Sequence, residues 1–375
     1  MIDFEARLKS LKNRRQGSRE RAVIDSIPAG FARNAALDLG TDPRTKEHFE
    51  TLKESSSIKY AVGAMAPVKR ESTEISIREG NRVADNLITG LAKAGEQTTK
   101  RLQGSVALDI HIEKHSDVDM LIIATGSIFI ETPSISSYPP KSDPRAMLNI
   151  IQDIRAKSED ILQKSFYAAD VDCSGAKSIS LNNGSLARKV DIVPAFWYDS
   201  VDYQRSRQEH FRGIEIYNKK EQALIRNYPF KHIQYVHLKD RQYDGNLKRV
   251  IRLLKNIIAD LPDYKKRVAK RLSSYDLAAI AYHMNERLYT QPYFQLSLVE
   301  TTRNHLELLC HVAEYREILS VPDGTRKIFD QNNKNEALEL LKDECTELAQ
   351  AIYRDLAPLS TRYDPSVVIN KALTS

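Results

Sequence analysis

The feature that most constrains this chain is a pair of short motifs at a fixed separation. Gly104-Ser105 is followed, after eleven residues, by Asp117-Val118-Asp119, which opens the apolar run Met120-Leu121-Ile122-Ile123. Residues two apart on a β-strand point to the same face, about 7 Å from each other. The two carboxylates are therefore expected to project together at the start of a strand. Proteins hold Mg²⁺, a hard ion, through one or two such carboxylates and substrate phosphates.

Gly104-Ser105 predicts a phosphate-binding turn beside these carboxylates. Glycine lets a backbone approach a polyphosphate closely, and the Ser105 hydroxyl with the following N–H groups would donate to phosphate oxygens if a helical turn opens there. Each motif alone is ordinary, because Gly-Ser is usually a turn and an Asp-x-Asp at a strand edge is more often a solvated terminus. Together they predict a site for a phosphate-bearing ligand and a divalent metal.

A third carboxylate, Asp191, is expected on a second strand over residues 188–196, which is rich in β-branched side chains. The alternating residues 178–181 precede Asn182-Asn183-Gly184, a hairpin signal, so this strand is predicted to be the second arm of a hairpin. Asp191 would then face the same way as the first two aspartates. The alternative is a gatekeeper charge on an edge strand. The two other motifs favour a third metal-binding carboxylate.

These motifs resemble the active-site signature of the DNA polymerase β-type nucleotidyltransferases. They are similar in particular to the cyclic GMP-AMP synthase/DncV-like (CD-NTase) branch, which includes 2'-5'-oligoadenylate synthase and the bacterial cyclic-oligonucleotide synthases of anti-phage defence. The resemblance covers roughly residues 75–290. It implies an α+β fold, with a polymerase β-like core of a mixed sheet and flanking helices, followed by a C-terminal helical bundle.

Two downstream segments extend the resemblance. Residues 244–258 have helical periodicity, with a basic stripe that includes Lys255, and Ser273 is a candidate N-cap for a further helix. The resemblance implies that Lys255 and Ser274 bind a triphosphate and that Tyr275 stacks on a base. The alternatives are a solvated basic face and core packing of the tyrosine.

The resemblance also implies a metal-dependent reaction. Magnesium or manganese ions would align a ribose hydroxyl for in-line attack on the α-phosphorus of a nucleoside triphosphate, and pyrophosphate would leave. A second transfer would close a cyclic di- or trinucleotide, a second messenger of bacterial anti-phage defence. The catalytic, metal-binding residues are then Asp117, Asp119 and Asp191, and the nucleotide-binding residues are Gly104, Ser105, Lys255, Ser274 and Tyr275.

Two other classes of function remain open. One is a nucleotidyltransferase that adds a nucleotide to an RNA, protein or small-molecule acceptor, which would need a dedicated acceptor pocket. The other is a nucleotide-binding module without catalysis, which the retention of all three aspartates disfavours.

Composition and cysteine usage predict a cytoplasmic protein. The chain has 375 residues, of which 41% are hydrophobic, so it can bury more than one core. It lacks an apolar stretch of about 18 residues, so we expect no membrane span, and we expect no signal peptide. Its three cysteines are too sparse for a disulfide framework and predict reduced thiols in a reducing compartment.

The net charge of +6 raises the question of whether the protein binds nucleic acid. Basic clusters at residues 12–21 and 265–271 could bind nucleic acid by counterion release. Anionic substrates themselves call for positive potential around a cleft, so we do not expect a nucleic-acid activator. A regulatory or effector protein partner is left open.

Three regions are predicted along the chain. Residues 1–60 form a helical N-terminal extension, residues 61–205 the nucleotidyltransferase lobe, and residues 206–375 a helical lobe that closes the nucleotide cleft. Within the second region, an amphipathic helix is expected at residues 78–94, and a Pro/Ser-rich loop at residues 132–144 is expected to flank the cleft.

Overall fold

The computed structural model describes residues 2–26, 46–113, 116–132, 134–135 and 145–373, with only the backbone of residues 16–26. Most of the predicted Pro/Ser-rich loop and part of the N-terminal extension therefore lie outside the described residues.

The described residues form helices and strands in a βα-rich first half and a helical second half. In chain order they are α1 (Phe4–Ser26), α2 (His48–Thr51), α3 (Ser56–Met65), α4 (Arg70–Lys93), β1 (Thr98–Gln103), α5 (Gly104–Ala107), β2 (Val118–Ile130), α6 (Met147–Ser165), β3 (Asp170–Asp172), β4 (Ile179–Asn182), β5 (Val190–Asp199), α7 (Val201–Ser206), β6 (Gly213–Asn218), β7 (Ala223–Asn227), α8 (Pro229–Gln242), α9 (Asn246–Ala259), α10 (Asp263–Ala269), α11 (Ser274–Tyr282), α12 (Ser297–His311), α13 (Ala313–Ile318), α14 (Asn333–Leu356) and α15 (Pro365–Ile369).

The strands form one seven-stranded mixed sheet with β2 and β5 at its centre. These two strands are parallel, and β1 pairs antiparallel with β2. Along β5, the first half pairs antiparallel with β4 and the second half with β6. The hairpin signal thus corresponds to β4 and β5, joined by a loop over residues 183–189 rather than a two-residue turn. The mixed sheet with flanking helices, expected from the resemblance, is confirmed.

Both faces of the central strands are buried, which explains why β2 reads as a continuous apolar run. Met120 and Ile122 pack into a core formed with α4 and α6, while Leu121 and Ile123 join a separate apolar cluster on the opposite face with Trp197. An amphipathic helix is expected at residues 78–94, and three apolar side chains of α4 in that range are fully buried in the first core, namely Val83, Leu87 and Leu91. This packing fixes the β2–β5 register, because a shift by one residue would exchange the two faces.

The chain divides into two compact units. One consists of residues 69–108 and 116–235 and contains the sheet, and the other consists of residues 1–68, 109–115 and 236–375 and is helical. The N-terminal helices thus share a unit with the C-terminal ones. The predicted boundaries at residues 60 and 205 stay a prediction.

Buried arginines attach the N-terminal helix within the helical unit. Arg14 of α1 donates to Asp260 Oδ2 at 2.9 Å and to Asn256 Oδ1 at 3.1 Å. The hydroxyl of Tyr60 donates to the same carboxylate at 3.0 Å. Arg15 pairs with Glu47 at 2.7 Å. These two members of the first basic cluster are therefore internal anchors rather than a nucleic-acid surface.

We predict that Arg14→Met lowers the free energy of unfolding by about 3–5 kcal/mol, because it leaves the Asp260 carboxylate, whose side chain is 1% exposed, without its cation. Urea denaturation followed by circular dichroism measures the change. Arg70→Met is the matched control, since Arg70 pairs with Glu74 while 88% exposed, and no measurable change is expected there. Equal transitions for both variants would contradict the anchoring role.

Candidate active site

The parallel register of β2 and β5 places two of the predicted aspartates side by side. Asp119 lies directly opposite Asp191, one step after Val118 opposite Val190. Asp117 immediately precedes β2, and Lys189 immediately precedes β5. The backbone N–H of Val118 donates to the carbonyl of Lys189 at 3.0 Å, which aligns the two strand beginnings.

The Gly-Ser turn approaches the same point from β1. Gln103, the last residue of β1, lies opposite Asp119, and the chain then turns at Gly104 with φ +72° into the short helix α5. A Cβ atom on Gly104 would lie 2.2 Å from Asp119 Oδ2. Only glycine permits this approach, and the half-buried Ser105 follows it directly. The structure thus brings Gly104 and Ser105 together with the aspartates.

A lysine lies among the carboxylates. Lys189 Nζ donates to Asp117 Oδ2 at 2.6 Å and is 3.7 Å from Asp191 Oδ1. Partial burial disfavours the ammonium, but the hydrogen bond to Asp117 and the charges of the three aspartates outweigh it and raise the pKa of Lys189. Burial has the opposite effect on Asp191 and raises its pKa, against a Ser180 hydrogen bond and the charge of Lys189, which lower it.

The residues present fit a divalent metal ion. Asp191 Oδ1 is buried and has no hydrogen-bond partner, since Lys189 at 3.7 Å is beyond hydrogen-bonding distance. An unsatisfied carboxylate oxygen beside two further carboxylates suits a hard cation that prefers oxygen ligands. Among the described residues, no three acidic, histidine or cysteine side chains already stand in metal-binding geometry. In the structure, the ammonium group of Lys189 is the cation that lies beside Asp117 and Asp191.

Lys255, in contrast, lies in the helical unit and is buried. Its Nζ donates to the carbonyl of Ile110 at 2.9 Å, and on the same helix Arg252 donates to the carbonyls of Asp109 at 2.7 Å and Met65 at 2.9 Å. Burial lowers the pKa of Arg252 to about 10 although the Asp109 charge opposes the shift. These two side chains hold the start of the segment that joins the Gly-Ser turn to Asp117. They are not a solvated stripe.

Ser274 and Tyr275 occupy the first turn of α11. Ser273 is the N-cap, as the sequence predicted, and forms a capping box with Asp276. Ser274 is exposed. The Tyr275 hydroxyl donates to Asp323, and the guanidinium of Arg326 lies 5.9 Å from its ring centroid. Both residues lie in the helical unit, so the nucleotide-binding roles predicted for them stay predictions.

Sequence reasoning missed Lys189. A signal was present, because residues 189 and 191 share one face of a strand, and the same reasoning that paired Asp117 with Asp119 would have paired this lysine with Asp191. Arg252 falls within the basic stripe of residues 244–258, and nothing in that pattern predicts its burial. Its carbonyl partners, Met65 and Asp109, lie in two segments that no local pattern connects to α9.

The sheet, the Gly-Ser turn and the three aspartates define a nucleotidyltransferase, and comparison with known proteins agrees. Residues 234–351 match the family model of the cGAS/DncV-like nucleotidyltransferase C-terminal helical domain. The cyclic dinucleotide synthase CdnE of Yersinia aleksiciae is 35% identical over 94% of this chain and 92% of its own length. A c-di-GMP synthase of Capnocytophaga granulosa is 30% identical over 78% of this chain and 87% of its own.

Solved structures show the same likeness. The STING-associated CdnE c-di-GMP synthase from Capnocytophaga granulosa superimposes with a TM-score of 0.69 at 27% identity, covering 94% of this chain and 99% of that one. The chain belongs to the cGAS/DncV-like nucleotidyltransferase family, as the resemblance predicted. Members of this family are in general metal-dependent nucleotidyltransferases.

In the part of the chain that the structure describes, we find no helix with the length and apolar character needed to cross a membrane.

Proposed function

We propose that this protein joins nucleoside triphosphates into a cyclic di- or trinucleotide second messenger, with release of pyrophosphate, in bacterial anti-phage defence. The observation that supports this most directly is the meeting of Gly104 with Asp119 beside Asp191, whose buried Oδ1 has no hydrogen-bond partner. The relatives named as cyclic dinucleotide synthases favour a two-nucleotide ring. We place the reaction in the cytoplasm, where nucleoside triphosphates are made.

Asp117, Asp119 and Asp191 would hold Mg²⁺ or Mn²⁺ in this proposal. When bound, such ions neutralise phosphate charge and lower the pKa of a coordinated hydroxyl. The contribution of the chain is to hold these carboxylates at the beginnings of two rigid strands, where the β2–β5 register fixes Asp119 opposite Asp191. Such preorganisation would favour alignment of the attacking ribose hydroxyl with the α-phosphorus.

Phosphate binding is assigned to Gly104, Ser105, Lys255 and Ser274, and base stacking to Tyr275. Gly104 leaves the space beside Asp119 open, and Ser105 supplies a hydroxyl next to it. Ser274 is exposed at a helix start, where backbone N–H groups and the hydroxyl can donate. The hydrogen bond from Tyr275 to Asp323 holds the ring at the start of α11, where it would stack on a base. Lys255 would exchange its bond with the Ile110 carbonyl for phosphate oxygens.

The expected result of incubating the protein with the four nucleoside triphosphates and Mg²⁺ or Mn²⁺ is a product that resists phosphatase. Ring closure leaves no terminal phosphate, so the cyclic product survives the treatment, while unreacted triphosphates become nucleosides and linear products lose their terminal phosphates and differ from the ring in mass. Mass spectrometry then gives its bases and ring size. The mass would also show which triphosphates are used, and each can be omitted in turn as a check.

Transfer to a separate acceptor is the second candidate, and it predicts pyrophosphate release only when RNA, protein or a small-molecule acceptor is added. No phosphatase-resistant product under any metal and nucleotide combination, together with acceptor-dependent turnover, would overturn the cyclisation proposal. We further propose that the product is read by an effector protein, by analogy with the STING-associated synthase from Capnocytophaga granulosa.

A further inference from the structure

We propose that Lys189 is a built-in counter-cation of the three-aspartate site, which opposes binding of a divalent metal to the free enzyme and must leave Asp117 when the metal binds. This inference rests on the proposed metal-binding role of the aspartates.

The geometry places Lys189 within the aspartate group rather than beside it. Asp119 lies opposite Asp191 in the parallel register, and one pair earlier are Val118 and Val190. Asp117 and Lys189 each come one residue earlier, immediately before the two strands. Residues two apart share a face. One face of the two strands therefore carries four charged groups at the corners of a square, three of them carboxylates and the fourth the Lys189 ammonium. The Val118 N–H donating to the Lys189 carbonyl at 3.0 Å fixes the lysine backbone in that square.

The contacts show what the ammonium does there. It donates to Asp117 at 2.6 Å and faces Asp191 Oδ1 at 3.7 Å, so it balances charge between two carboxylates that otherwise repel each other. The Lys189 and Asp117 side chains are 38% and 39% exposed. Solvent therefore reaches the pair, and the long side chain can swing away without unfolding the strands.

A divalent ion and this ammonium compete for the same oxygens. Magnesium binds carboxylate oxygens at about 2.0–2.1 Å, and an ammonium group 2.6 Å from Asp117 Oδ2 fills the space that such an ion needs. Even after moving away, the positive charge repels the metal over several ångströms. A bound triphosphate would add the negative charge that shifts this balance toward the metal. Lys189 thus makes metal binding depend on nucleotide.

Isothermal calorimetry with MnCl₂ and no nucleotide tests this on the full-length protein. We expect Lys189→Met to strengthen Mn²⁺ binding by about tenfold, the order expected for removing one charge a few ångströms from a divalent ion. Lys189→Arg keeps the charge and should bind like the wild type. Lys219→Met is the matched control, because Lys219 is 42% exposed and pairs with Glu159 at 2.8 Å instead of with the aspartates.

Thermal denaturation in EDTA gives a second readout, free of activity. Without its counter-cation the aspartate group repels itself, so Lys189→Met should melt at a lower temperature than the wild type, and Mn²⁺ should raise its melting temperature by more. If the wild type binds no Mn²⁺ with or without nucleotide, the metal-binding role itself fails. Should the wild type bind Mn²⁺ while Lys189→Met shows equal or weaker affinity and an unchanged melting temperature, the inference about Lys189 alone is overturned.

Discussion

Asp119→Asn is expected to abolish synthesis of the cyclic product while leaving the protein folded. Asparagine has nearly the same shape, so the β2–β5 register and the close approach of Gly104 are kept, and only the charge that holds a metal is lost. A catalytic metal contributes several kcal/mol to the stabilisation of developing charge, and each 1.4 kcal/mol or so changes the rate tenfold. We therefore expect turnover to fall by about a thousandfold or more. Product is measured by phosphatase treatment and mass spectrometry.

A second Asp-Val-Asp tripeptide in the chain provides a control for this prediction. Asp170-Val171-Asp172 forms β3 on the sheet, where Asp172 accepts a hydrogen bond from the Ser174 backbone N–H at 2.8 Å and both aspartates are exposed. Asp172→Asn should leave turnover unchanged. Thermal denaturation should show that Asp119→Asn is as stable as the wild type. Undiminished product from Asp119→Asn, or equal losses for both variants, would remove the metal-binding assignment.

The core of the site could be predicted because its signals are local, while the fold was predicted from the family resemblance that these motifs carry. The apolar run of β2 and the Gly-Ser turn each occupy a few consecutive residues, and the period-two rule converts Asp117-Val118-Asp119 into a geometry without further information. Asp191 needed one additional assumption, that its strand joins the same sheet. In the structure, β5 does join that sheet, and Asp119 pairs with Asp191.

Partners distant in sequence could not be predicted. The bond from Lys255 to the Ile110 carbonyl joins residues 145 positions apart, and a lysine on a helix gives no sign of which oxygen it will meet. The burial of Arg14 with Asp260 is a similar case. In the sequence this arginine belongs to a basic cluster that is typical of a solvated or nucleic-acid-binding surface. Only tertiary packing turned it into an internal anchor.

Gly104→Ala tests the phosphate-binding turn, and we expect a large loss of activity with a modest loss of stability. The backbone at Gly104 has φ +72°, and an added Cβ would lie 2.2 Å from Asp119 Oδ2. Either the turn or the carboxylate must move. A displacement of about 1 Å in a catalytic group can reduce the rate about a hundredfold. The left-handed conformation adds about 1–2 kcal/mol of backbone strain for alanine. Turnover and urea denaturation measure the two effects separately.

Gly95→Ala separates the effect of backbone strain from the effect of the contact between an added Cβ atom and Asp119. Gly95 lies in the same unit with φ +86°, and a Cβ there would meet no atom within 4 Å. Its backbone strain should match that of Gly104→Ala, so the free energy of unfolding should fall by a similar amount, yet product formation should persist. The difference in turnover between the two variants then measures the close approach of Gly104 to Asp119. If both variants keep full activity, the turn does not need glycine for catalysis, and its proposed role in phosphate binding is wrong.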